Sequence, residues 1–155
     1  MKRIAAILLM LVFADAAPAQ DRPAPRQPAP PAVRFLPVEV WLDSGDRPLA
    51  AWQIEFTSES DDVKIVGVEG GAHAAFTTPP YYDPAALSRG RIVLAAFNTG
   101  KGLPSGKTRV ATLHLQVRGG ARPEWSARVA AAATADGARI DAQAEVREGR
   151  GSARD

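Results

Sequence analysis

The sequence predicts an all-β domain: an antiparallel β-sandwich of seven or more short strands behind an export signal and a proline-rich spacer. Three observations carry this. Apolar residues recur with period two from Phe35 onward. The alternating runs are separated by Gly, Pro and Asp turns. No window has the 3.6-residue period of an amphipathic helix. Short alternating strands with turn residues between them are the pattern of an antiparallel two-layer β protein.

The elements follow in order. Met1-Lys2-Arg3 is a short positive region, Ile4 to Phe13 is unbroken apolar, and small residues follow from Ala14 to Ala19. This three-part layout is that of a secretory signal peptide, with A-x-A cleavage patterns at Ala17-Pro18-Ala19 and Ala14-Asp15-Ala16. The apolar run is too short for a transmembrane helix, which needs roughly 20 residues. Residues 1–20 are therefore expected to be removed, with no membrane insertion after cleavage. Seven of the 13 prolines lie between Pro18 and Pro37. Fixed φ angles and missing N–H groups exclude helix or central strand there, so residues 21–34 are predicted to be an extended, polyproline-II-like linker.

The domain is predicted over residues 35–147. Val38, Val40 and Leu42 alternate with Glu39, Trp41 and Asp43, and Ser44 to Pro48 turns the chain. Trp52, Ile54 and Phe56 form the apolar face of the next strand, and Val63 to Val68 a third, ended by Gly70-Gly71. Ile92 to Phe97 is apolar on both faces and is expected in a central position. Ala111 to Arg118 alternates cleanly. Trp125 to Ala133 is predicted as strand, although its alanines carry helix propensity. Ile140 to Val146 is the last strand, and residues 148–155 form a polar tail.

Composition narrows the function. The chain has 155 residues, 46% hydrophobic and 23% charged, with a net charge of +2. This is globular composition. No block of like charge points to nucleic acid. The absence of cysteine excludes disulfides, thiolate metal sites and cysteine nucleophiles. The Ala, Arg and Pro content has a bacterial character.

Four segments resemble the cohesin family. They are Leu49-Ala50-Ala51-Trp52-Gln53-Ile54-Glu55-Phe56, then Val63-Lys64-Ile65-Val66-Gly67-Val68-Glu69-Gly70, then Gly90-Arg91-Ile92-Val93-Leu94-Ala95-Ala96-Phe97, and finally Val110-Ala111-Thr112-Leu113-His114-Leu115-Gln116-Val117. The resemblance spans roughly residues 36–147 and rests on the order and spacing of apolar strands. It implies a jelly-roll-like sandwich of about 7–9 strands, related to carbohydrate-binding modules, that binds a partner module without catalysis. Within these 155 residues no dockerin repeat or enzyme domain is expected, and Ala74 to Leu87 is expected to be a loop or insertion.

Chemical signatures are sparse. Gly100 to Thr108 resembles a P-loop, but Lys101 stands where the motif needs Gly and a strand follows where it needs a helix; a hairpin loop is the expectation. His73 lies in a loop, and His114 on a polar strand face is expected to be solvated; two histidines fall short of the three protein ligands of a catalytic zinc site. The acidic corner Glu59, Asp61 and Asp62 lacks the spaced calcium loop. No nucleophile elbow is present. No catalytic residue, metal site or cofactor is predicted.

The aromatics carry more. Trp52 and Phe56 are expected in the core. Tyr81 and Tyr82 sit between prolines in a loop, where rigid amphipathic rings suit recognition, although the loop could instead cap an open end of the sandwich. Trp41, on the face opposite Val40 and Leu42, is expected to be exposed. The sequence therefore predicts an exported, periplasmic or extracellular, non-catalytic binding module. Its partner is a protein or a polysaccharide, and its candidate contacts are Tyr81, Tyr82 and Trp41. The alternatives are an assembly subunit of an envelope or secretion complex that pairs through a strand edge and, ranked behind both, a small glycan hydrolase with unrecognised carboxylates.

Overall fold

The computed structural model describes residues 31–120 and 123–149. The predicted signal peptide, most of the linker and the end of the tail lie outside these residues. Seven strands are present among them: β1 (Val33–Asp43), β2 (Ala51–Ser58), β3 (Val63–Gly70), β4 (Arg91–Phe97), β5 (Lys107–Arg118), β6 (Trp125–Ala133) and β7 (Gln143–Glu148). Single 3-10 turns occur at Ala74–Phe76 and Pro84–Ala86.

The strands form two antiparallel sheets, a four-stranded one in the order β3-β5-β1-β7 and a three-stranded one in the order β4-β2-β6. Odd-numbered strands lie in the first and even-numbered strands in the second, so every connection between described strands passes from one sheet to the other. The pairs are nested: β1 with β7, β2 with β6, β3 with β5.

Alternation decides what each strand buries, because successive side chains point to opposite faces. Val38, Val40 and Leu42 of β1, Leu113, Leu115 and Val117 of β5, and Trp52, Ile54 and Phe56 of β2 enter one apolar cluster shared by both sheets. Trp52 is 2% exposed and meets Phe76 edge-on, with ring centroids 6.1 Å apart. Phe76 arrives from the first 3-10 turn, which docks because Gly70 and Gly71 let backbone approach backbone. A Cβ on Gly71 would lie 2.2 Å from the Arg109 carbonyl oxygen, and one on Gly70 would lie 2.0 Å from that of Thr77. The alanines of β6 are strand because β2 supplies a ladder partner along its length; tertiary pairing overrides their helix propensity.

The structure corrects several expectations. β1 begins at Val33, inside the stretch assigned to the linker. β4 is an edge strand rather than a central one. The Gly100–Thr108 segment joins β4 to β5 in different sheets, so it is a crossover and not a hairpin. Ile140 precedes β7 and is tied to β6, its N–H donating to the Ala132 carbonyl at 2.8 Å. His114 is not merely solvated: its Nε2 lies 2.9 Å from Glu69 Oε1 on the outer face of the four-stranded sheet. Neighbouring Gly67 leaves room for the ring, since a Cβ there would lie 3.4 Å from His114 Cδ2.

Candidate functional site

The three residues predicted to bind a partner are not brought together. Tyr81 and Tyr82 diverge although they are adjacent. Tyr82 packs against the core, while Tyr81 is 71% exposed. Trp41 lies in the other sheet and is half-buried rather than exposed. Its indole N–H donates to Glu39 Oε2 at 3.0 Å, and the Arg147 guanidinium lies 5.4 Å from the ring centroid.

Tyr81 is positioned by its backbone. Its N–H donates to the Ala95 carbonyl at 2.7 Å, and its carbonyl accepts from the Ala95 N–H at 2.9 Å. This bridge covers the outer edge of β4. Asp83 then caps the second 3-10 turn, its Oδ1 accepting from the Ala85 N–H at 2.9 Å. Held in this way, the Tyr81 ring lies nearly parallel to Phe97, at 11° and 6.3 Å between centroids. Phe97 is itself 68% exposed.

Beside this pair is a shelf on the outer face of the three-stranded sheet. Directly opposed residues on antiparallel strands share a face. One row across it is Phe97, Ala51 and Ala133, and the next is Ala95, Gln53 and Ala131. Together with Tyr81 they border a concavity of about 260 Å³. Four methyl groups and one amide make its floor. In the row beyond, Glu55 stands between Val93 and Arg128; it accepts from Arg128 Nη2 at 2.8 Å and from Nε of Arg91, further along β4, at 2.7 Å. Arg91, and then Arg128, hold the Glu55 carboxyl below the ordinary carboxylate range by hydrogen bonding.

Phe97, the alanines and the Arg91–Glu55–Arg128 cluster were not among the predicted contacts. The signal that could have found them was the two-faced apolar character of Ile92 to Phe97. On an edge strand with one face in the core, the second apolar face has no layer among the described residues to explain it. A larger concavity, of about 450 Å³, lies elsewhere, between the β2–β3 corner and the segment leading into β4. Its lining includes Ser58, Ser60, Lys64 and Arg89 and offers no aromatic anchor.

No family model, curated protein or solved structure matches the chain.

Proposed function

We propose that the protein is an exported, non-catalytic binding module with a cohesin-like, jelly-roll β-sandwich, and that the outer face of its three-stranded sheet docks on a partner protein. One observation carries the docking reading. Two parallel aromatic rings stand about 70% exposed at the rim of an alanine-floored shelf, fixed by backbone hydrogen bonds. Large exposed aromatics beside an apolar depression are the composition of an interface centre. Their low conformational freedom reduces the entropy lost on binding.

The jelly-roll assignment draws support from the nested pairing of β1 with β7, β2 with β6 and β3 with β5. Nested antiparallel pairs are what results when one long two-stranded ribbon is rolled around a core. The strand-edge alternative draws less support. β4 is already bridged by Tyr81, and β3 exchanges hydrogen bonds at Ile65 with Ser88 and Arg89. Charged Glu145, Arg147 and Glu148 line β7, and charged edges discourage pairing.

The test is a photocrosslinking residue at position 131, presented to an envelope extract of the native host. A discrete protein adduct that disappears when Tyr81→Ala and Phe97→Ala are combined is expected. An adduct pattern indifferent to those substitutions would overturn the reading.

A further inference from the structure

We infer that the shelf beside Tyr81 and Phe97 takes a polyproline-II segment, and that this segment is residues 21–32 of a second copy of the chain. The inference rests on the docking face proposed above and names what sits on it.

The segment has one apolar side built into its spacing. Five of its twelve residues are proline, and Pro25, Pro28 and Pro31 recur at intervals of three. Polyproline II has three residues per turn, so these three rings line one side about 9 Å apart. Arg26 and Gln27 fall on the other two sides. Pro31, the one of the three among the described residues, is exposed.

The shelf matches that side. Tyr81 and Phe97 are 71% and 68% exposed and nearly parallel, and proline-rich segments dock on aromatic-lined grooves. Phe97 on β4 and Ala133 on β6 lie in one row, both paired with Ala51. They are two strand spacings apart, about 10 Å, which is close to one polyproline-II turn. One proline therefore meets the rings while the next lies over the methyl groups at β6. A proline offers a backbone carbonyl but no N–H, so its site must supply donors. Gln53 in the floor and the Tyr81 hydroxyl at the rim supply them. An extended strand added to the edge of β4 is disfavoured at this point, because Tyr81 already exchanges both hydrogen bonds with Ala95 there.

Reach decides which copy provides the segment. Val33 pairs with Arg118, whose N–H donates to Asp62 in the β2–β3 corner. The chain thus enters β1 at the Ser58 end of the sandwich, whereas the shelf lies at the Ala51 end. The two ends of β2 are about 23 Å apart. Pro28 stands five residues before Val33, and five polyproline-II residues span about 16 Å. Pro28 and Pro31 fall short of the shelf of their own molecule, so the three-proline side seats on another.

The experiment is sedimentation of the mature chain over a concentration series, with calorimetric titration of a synthetic peptide of residues 21–32. Concentration-dependent self-association is expected, and excess peptide should reverse it. Tyr81→Ala and Phe97→Ala should each weaken association and peptide binding about tenfold. Pro25→Ala combined with Pro28→Ala should do the same, in the chain and in the peptide. Thermal melts establish that the variants are folded. A chain that stays monomeric, takes no peptide, or associates regardless of these substitutions overturns the inference. In that event, a Tyr81-dependent adduct with a different protein from position 131 leaves the docking face standing with another occupant, and no adduct removes both.

Discussion

Tyr81 and Ala95 exchange two backbone hydrogen bonds, of 2.7 and 2.9 Å, so the loop is held to β4 by its backbone while the Tyr81 ring, 71% exposed, adds only its stacking on Phe97. The capping role passes to Tyr82, which packs on the core. The two tyrosines should therefore separate on substitution. Tyr81→Ala is expected to change stability by less than about 0.5 kcal/mol, the usual range for a surface site. Tyr82→Ala should cost about 1–3 kcal/mol. Chemical denaturation of the two single variants checks this; equal losses would show that the exposed ring is structural.

Trp52→Ala should cost about 3–5 kcal/mol, the range for emptying an aromatic site in a core. Trp52 is 2% exposed, and its Nε1 has no acceptor among the described residues. Trp52→Phe should therefore cost clearly less, because it keeps an edge contact with Phe76 and removes a buried donor without a partner. Urea midpoints for the two variants, in that order, are the measurement.

Ser88 holds φ at +66°, a left-handed conformation that costs a residue with a Cβ about 1–2 kcal/mol. Its N–H donates to the Ile65 carbonyl at 2.7 Å, tying the segment before β4 to the edge of β3. Ser88→Gly relieves the strain and adds unfolded-chain entropy of about 0.5–1 kcal/mol. The expected net result is a small gain, up to about 1 kcal/mol. A lower denaturation midpoint would mean that the hydroxyl matters more than the backbone.

Gly71→Ala should destabilise by about 2–4 kcal/mol, since its Cβ would overlap the Arg109 carbonyl and force the 3-10 turn off the sheet. The fluorescence of Trp52, which that turn covers through Phe76, should report the displacement together with the lowered melting temperature.

Acid should weaken the fold through Glu145. Arg147 first, and then Lys107, hold its carboxyl at about 2 against an ordinary 4.5. Its folded value is depressed, so its contribution is complete above the ordinary value and fades as the pH falls toward 2. Glu55 is lowered in the same direction, and its contribution fades on the same side. Melting temperature should drop between about pH 5 and pH 2. Glu145→Gln should flatten that slope, and high salt should shrink the difference, because both carboxylates are solvent-accessible. An unchanged slope in the variant would sink this account.

Alternation by itself determined which side chains of β1, β2 and β5 face inward. A period of two leaves a strand against an apolar layer only one choice, and Val38, Val40, Leu42, Trp52, Ile54 and Phe56 all made it. Proline, glycine and aspartate marked most of the turns, because their backbone preferences act within a few residues. Strand order was decided only by the tertiary structure. Pairing depends on contacts between residues far apart in the chain, so nothing local distinguishes a crossover at 100–108 from a hairpin, or an edge β4 from a central one. The same limit governed the candidate site. Tyr81 was visible as a ring in a rigid loop, but its partner Phe97 lies 16 positions further on, and Ala131 and Ala133 come from a third strand. They form one surface because the ladders of β4 and β6 on β2 align their outer faces, a fact of register that no single segment contains.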